Sequence, residues 1–324
     1  MILMSKRGFS SDLFIWIFAA VAGALLFLFF ILWAGRHADT SSTVEDIEYL
    51  RTFEQQLSSL STTDSLSKTL TFPRDLTIHM DCASFFTDKA QEATSLFLFS
   101  PATLTEQSYT LLGKPWHFPF YTDMLYYLIP KDTKIILYYE PQAASFATSL
   151  DVPSSMPLVS LPLSSYSAQR LQQELKSYQS ATLVFVGHAP NPTTLLATLR
   201  SPSLNVLEVD LARSVVTFYP EQKEYPYYGE AHLFGAFFGP TQYACHTTRL
   251  VARLHQLATL YQHKTTLLQQ KLGAGSSCQS FYGQATSLLR TLSTTTDATL
   301  LYSTTTSLQN LNEDLESHDC PTIY

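Results

Sequence analysis

Charge is scarce in this chain. Asp, Glu, Lys and Arg make up 15 % of its 324 residues, and 20 basic against 27 acidic side chains give a formal charge of −7. A nucleic-acid partner needs a basic face, so that class is excluded. Glycine is scarce as well, at 11 residues. No P-loop, no G-x-S-x-G elbow and no H-E-x-x-H helix occurs, which removes three large classes of nucleotide-binding and hydrolytic machinery. The four cysteines form neither a C-x-x-C pair nor a Cys/His zinc spacing, so no structural metal is expected.

Apolar residues, in contrast, reach 45 %, enough to build a packed core and to exclude wholesale disorder. One run organises the chain. Residues 13–35, LFIWIFAAVAGALLFLFFILWAG, hold no charge. As a helix they span about 34 Å, just over the ~30 Å hydrocarbon core of a bilayer. Trp16 and Trp33 stand near the ends, where indoles favour the headgroup region. A buried core helix and a cleaved signal peptide are the alternatives. The run outlasts an ordinary signal h-region and leads into Trp33 and Arg36, not a small-residue cleavage site, so a retained membrane helix is expected.

Orientation follows from the flanks. Lys6 and Arg7 precede the helix, whereas Arg36 is soon followed by Asp39, Glu45, Asp46 and Glu48. The positive-inside rule then favours a cytoplasmic N-terminus and an extracytoplasmic 36–324. All four cysteines, Cys82, Cys245, Cys278 and Cys320, lie beyond the run. An even number in one compartment fits an oxidising exterior with two disulfides; four free thiols in a cytosolic domain is the alternative. Within the run, Ala19, Ala20, Gly23 and Ala24 make two overlapping small-xxx-small pairs, a pattern that permits helix self-association.

The beginning, MILMSKRGFSSD, has a basic pair, Gly8, Phe9 and then the apolar helix. It resembles the class III signal of type IV pilins, which is cut after the glycine. That resemblance implies a mature N-terminus at Phe9 and a filament-building helix. Members commonly carry Glu at the fifth mature position, where this chain has Leu13; its acid, Asp12, comes one residue earlier.

Five stretches follow: a leader (1–12), the membrane helix (13–35), a juxtamembrane helix and linker (36–71), an α/β domain (72–240) and a helical region (241–324). Ser42 and Glu45 form a capping-box pattern, and Val44, Ile47, Leu50, Leu57 and Leu60 repeat at helical spacing, predicting a helix over 43–61 before the linker STTDSLSK. Strands are expected at 75–80, 94–99, 133–140, 181–187, 204–211 and 214–220, with helices at 167–179 and after Asn191–Pro192. The alternation implies an α/β fold with a mixed, mostly parallel sheet and flanking helices. Three helices, 243–272, one about Phe281–Leu292 and one capped by Asp297, read as a C-terminal antiparallel hairpin set.

Few residues suggest chemistry. VGHAPNP (186–192) follows the most apolar strand, where an open α/β sheet holds its ligands, and His188 is a candidate base. Glu208 and Asp210 alternate along the next strand and share a face, the other two candidate catalytic groups. The structural alternative is a turn cap for His188 and a sheet rim for the acids. His246, His255 and His263 lie on one long helix but not on one face, so they do not make a metal site. The aromatic, proline-rich stretches 109–128 and 218–228 read as core between sheet and helices; exposed, they would stack on sugars or a partner chain.

The short KRG leader and anchor, SLFLFSP (95–101), KPWHFPF (114–120) and the ending at Asn312, Leu315, Cys320, Pro321 and Tyr324 together resemble a group of uncharacterised single-pass membrane-anchored proteins of small-genome archaea. The resemblance implies a location and a fold, and no activity.

Four cysteines allow three pairings. If the last three helices run up, down and up, Cys278 and Cys320 share one end, while Cys245 lies about 40 Å away at 1.5 Å per residue. A disulfide needs Cα atoms within ~7 Å. The expected bonds are therefore Cys278–Cys320 and Cys82–Cys245. The expected function is a structural or interaction role at the cell envelope, with the bilayer, a second copy or an envelope protein as partner, and with no cofactor. The alternatives are a tethered extracytoplasmic hydrolase built on His188, Glu208 and Asp210, and a pilin-like surface component.

Overall fold

The computed structural model describes residues 9–59, 66–72, 77–150, 152, 156–178, 180–190, 204–272 and 276–324. The helix predicted after Asn191 lies outside them. Helix α1 runs unbroken from Phe9 to Ser59. The helices expected over 13–35 and 43–61 are therefore one, since no glycine or proline occurs between Arg36 and Ser59 to interrupt it. Its hydroxyls bond back along the helix instead: Thr40 Oγ1 donates to the Arg36 carbonyl at 2.9 Å and Thr52 Oγ1 to that of Glu48 at 2.8 Å. The capping-box pattern at Ser42 therefore marks no helix start. Phe14–His37 is long and apolar enough to cross a membrane, and none of it is buried in the fold. The second half docks through Asp46, Leu50, Phe53 and Leu57, whereas Val44, expected on the same face, is exposed.

Among the described residues, the rest is a mixed α/β structure with three sheets. Strand β1 (Leu66–Thr71) covers the end of the expected linker, so the folded region begins before Phe72. Short strands β2 (Ile78–Met80), β3 (Ser84–Phe86), β4 (Gln91–Ala93) and β6 (Thr103–Leu104) form one antiparallel sheet in the order β4-β3-β2-β6. Between them, β5 (Phe97–Phe99) joins β1 and two ten-residue strands, β7 (Ser108–His117) and β8 (Tyr121–Pro130), in the order β1-β7-β8-β5. Its strands alternate between two cores. Tyr109, Leu111, Met124, Tyr126 and Leu128 face α1 and the small sheet. Leu112, Trp116, Leu125, Tyr127 and Ile129 face the main core. A sheet covered on both sides needs apolar residues at both parities, and that is what the aromatic stretch 109–128 supplies.

The third sheet has six strands in the order β10-β9-β11-β12-β13-β14. They are β9 (Thr133–Tyr139), β10 (Leu158–Pro162), β11 (Ser180–Val186), β12 (Leu204–Asp210), β13 (Val215–Tyr219) and β14 (Lys223–Pro226). β10, β9, β11 and β12 are mutually parallel, and β13 and β14 add antiparallel to the edge. Three of the five pairings in this sheet are parallel; those of the other two sheets are antiparallel except that of β5 with β8. Helix α2 (Ala144–Ser149) follows β9 with Ala147 in the main core, while α3 (Ala168–Leu175) puts Leu171 and Leu175 against the opposite face. The β9–β10 and β10–β11 connections therefore run over opposite faces of the sheet, and the order reverses between β9 and β11.

Helix α4 (Gly229–Gly235) precedes three longer helices: α5 (Pro240–Lys271), α6 (Cys278–Leu292) and α7 (Ala298–Ser317). Asp297 caps α7 by accepting from the Leu300 amide at 2.8 Å. Leu250, Leu254, Leu289, Leu308 and Leu315 carry these helices into the main core. Disulfides join Cys82 to Cys245 and Cys278 to Cys320, with Cα atoms 5.9 and 5.8 Å apart.

Candidate functional site

The parallel strands end along one rim of the six-stranded sheet. In open sheets of this order, ligands bind outside the carboxyl ends of the strands where the order reverses. Here that point lies between β9 and β11, and a cleft of about 400 Å³ opens there, lined by Glu140, Gly187, His188, Glu208 and Asp210 among others. All three candidate residues from the sequence meet in it.

Local geometry is set by Gly187, which continues the ladder by donating to the Val209 carbonyl at 3.1 Å and then turns with φ +105°. A Cβ at this position would sit 2.5 Å from Glu140 Cδ. Only glycine combines that backbone with that approach. Glu140 uses the space to accept from the His188 amide at 3.1 Å. Glu208 accepts from the Ala189 amide at 3.1 Å and from the Tyr219 hydroxyl at 3.2 Å. Asp210 accepts from the amides of Ala212 and Arg213 at 2.9 and 3.0 Å, closing the β12–β13 turn. The Tyr219 hydroxyl is held above its ordinary pKa by burial, and further by the Glu208 carboxylate.

The His188 ring is 92 % exposed, with Nδ1 3.5 Å from Glu208 Oε1. A carboxylate at this distance can orient the ring. The chemistry of the rim is that of an acceptor. Amides that would cradle a phosphate at this point are already bonded to the chain's own carboxylates, so the cleft suits a cation or a hydroxyl-rich neutral ligand better than an anion. No serine, threonine or cysteine is among its lining residues. Among the described residues no group of three or more His, Cys, Asp or Glu is placed to hold a metal.

Sequence reasoning missed Glu140. Its signal was its place directly after the apolar strand IILYY, at a parallel strand's carboxyl end. It also missed the buried polar groups behind β5 and β7. Lys114, 6 % exposed, pairs with Glu230 at 2.9 Å and lies over the Phe234 ring. His232 accepts from the Tyr228 amide at 3.1 Å and donates through Nε2 to Thr247 at 3.0 Å. His246 contacts the Leu98 carbonyl through Nε2 at 3.0 Å. Burial holds His232 down at about 3, with His246 adding to the shift. His246 is held down at about 4, again by burial first and then by Arg249. His255 bonds to the Thr295 carbonyl, away from these two. Comparison with protein-family models, with curated proteins and with solved structures finds no match for this chain.

Proposed function

We propose that this is a single-pass membrane-anchored protein with a cytoplasmic N-terminus, whose residues 36–324 form an extracytoplasmic domain with a structural or interaction role at the cell envelope. The observation that carries the reading is α1. None of its apolar half, Phe14–His37, is buried, while its second half buries Leu50, Phe53 and Leu57 in the fold. An apolar helix of that length needs a bilayer around it, and two disulfides in the region beyond it fit an oxidising compartment. The C-terminal helices are read as an antiparallel hairpin set, which their short connections support. Self-association through Ala19, Ala20, Gly23 and Ala24 belongs to the same proposal, since these positions are exposed and a Cβ on Gly23 would meet nothing within 4 Å. The archaeal membrane-anchored group and the pilin-like leader remain the family expectations of this reading.

Protease added to intact cells with an accessible envelope is expected to degrade the domain. Full protection there, with digestion only in inverted vesicles, reverses the orientation. Mass spectrometry finding the leader intact removes the pilin-like version.

A second reading, a tethered hydrolase, is favoured by one observation: His188 and Glu208 meet in a cleft at the reversal of strand order. Purified protein is then expected to hydrolyse at least one member of an ester, peptide and glycoside panel, with His188→Ala and Glu208→Gln abolishing the activity. Wild-type rates in both variants, or no turnover of any panel member, discard this reading.

A further inference from the structure

The two disulfides stand in different surroundings. Cys278 and Cys320 are 9 % and 5 % exposed, inside the helical core. Cys82 and Cys245 are half-buried, and the Cys82 sulfur faces a histidine. His246 is 1 % exposed, and its Nε2 lies 3.0 Å from the Leu98 carbonyl oxygen. A carbonyl only accepts, so Nε2 carries the proton and Nδ1 of the neutral ring is a bare lone pair. Nδ1 points at Cys82 Sγ, 4.0 Å away. A disulfide sulfur has no hydrogen to give. Among the described residues no other donor is found at this nitrogen, so the oxidised protein keeps a deeply buried acceptor unsatisfied. Reduction alters that, because a Cys82 thiol has the hydrogen that Nδ1 lacks. A buried polar atom gains more from its first partner than an exposed one, since water is not there to substitute. The Arg249 guanidinium adds to the effect by donating to the Cys82 carbonyl and to that of Ser95 at 3.0 Å, keeping positive charge near a sulfur that must leave as thiolate. Asp81, beside it, is held below the ordinary carboxylate range chiefly by the Ala83 amide.

From this the geometry points to Cys82–Cys245 as a redox-active disulfide that exchanges with an external dithiol, with Cys278–Cys320 as the structural bond. A thiolate of the dithiol attacks Cys245 Sγ, forming a mixed disulfide. The Cys82–Cys245 bond breaks and its electron pair goes to Cys82 Sγ. That sulfur takes up a proton and donates S–H to His246 Nδ1. The second thiol of the reagent, as thiolate, then closes its own disulfide and expels the Cys245 thiolate, which is protonated. Two electrons and two protons pass from the dithiol to the protein. The opened pair would free the first turns of α5 from the β2–β3 turn that carries Cys82.

The test uses the full chain in detergent micelles, equilibrated across a series of reduced-to-oxidised dithiothreitol ratios, trapped by alkylation and mapped by peptide mass spectrometry. Cys82–Cys245 is expected to open at a ratio at least ~10-fold lower than Cys278–Cys320, which is about 30 mV for a two-electron couple. His246→Gln retains a donor for the Leu98 carbonyl but removes Nδ1. It is expected to move the first pair ~10-fold toward the second, while Cys278–Cys320, read in the same molecule, stays in place and reports intact folding. Joint opening of the two pairs, earlier opening of Cys278–Cys320, or an unmoved Cys82–Cys245 in His246→Gln overturns the proposal. If His246→Gln shifts both pairs together, the variant has lost its fold, and the wild-type order of opening alone decides.

Discussion

The four-stranded β1-β7-β8-β5 sheet and the six-stranded sheet solve the same problem differently. The six-stranded sheet is covered by segments of its own α/β unit, with α3 on one face and α2 on the other side. Its carboxyl rim is left open, and there the polar residues gather around a cleft. Among the described residues, the four-stranded sheet has no such helix between its own strands. One of its faces is closed by the main core, and the other by the small sheet together with Leu50, Phe53 and Leu57 of α1. The difference teaches how the apolar segment meets the fold. The helix that covers the second face is the same helix whose other half, Phe14–His37, is long and apolar enough to cross a membrane and is uncovered, so that half continues directly into a structural part of the domain.

That contrast can be broken most forcefully at Phe53, which packs edge-on against both Phe72 and Phe85. Phe53→Ala is expected to cost about 3–5 kcal/mol of unfolding free energy, read by denaturant unfolding in detergent. Phe29→Ala, in the exposed half of the same helix, is expected to stay within about 0.5 kcal/mol. Equal effects would mean that α1 does not divide between two surroundings.

The next effect concerns the histidines behind the four-stranded sheet. His232 and His246 stay neutral in the fold, held down at about 3 and about 4 from 6.5. Below pH 6.5 the unfolded chain binds protons that the folded chain refuses. Stability is therefore whole above that value and falls as pH drops toward 4, by up to about 1.4 kcal/mol per pH unit for each histidine. Urea titrations at pH 7, 6 and 5 read this slope, and His246→Gln is expected to flatten it by about one proton. A slope that His246→Gln leaves alone would put the acid sensitivity elsewhere.

Much of this was legible in the sequence, and for identifiable reasons. The unbroken apolar strand 181–187, the 204–220 hairpin, the Asp297 cap and the leucine stripes of the C-terminal helices all carry local signals that tertiary context does not override. His188, Glu208 and Asp210 could be grouped because strand-end positions follow from the α/β alternation. β7 and β8 were not legible as strands, since a sheet buried on both faces erases the period-two pattern and Pro115 and Pro119 interrupt the reading. That residues 36–42 continue one helix was not legible, because Ser and Thr, poor helix formers in isolation, are carried along by the helical segments on either side. Glu140 and the buried histidines depend on contacts between residues far apart in the chain, such as His246 with Leu98, which no local pattern encodes.

A smaller effect sharpens the comparison at the rim. Gly187→Ala must strain a backbone at φ +105° and displace the Glu140 side chain. It is expected to cost about 1–3 kcal/mol, read by the same unfolding assay. Gly23→Ala, where a Cβ meets nothing within 4 Å, is expected to leave the domain's unfolding unchanged.

The central proposal is that one continuous helix serves both a bilayer and the domain core. A nitroxide scan along residues 14–57 in lipid nanodiscs, reading collisions with oxygen and with a water-soluble nickel chelate, tests it most directly. Expected is uniform oxygen accessibility across Phe14–His37, then a 3.6-residue oscillation with protected minima at Asp46, Leu50, Phe53 and Leu57, with no loss of helical order between His37 and Val44. A disordered break there, or an oscillation with Val44 among its minima, would contradict the account.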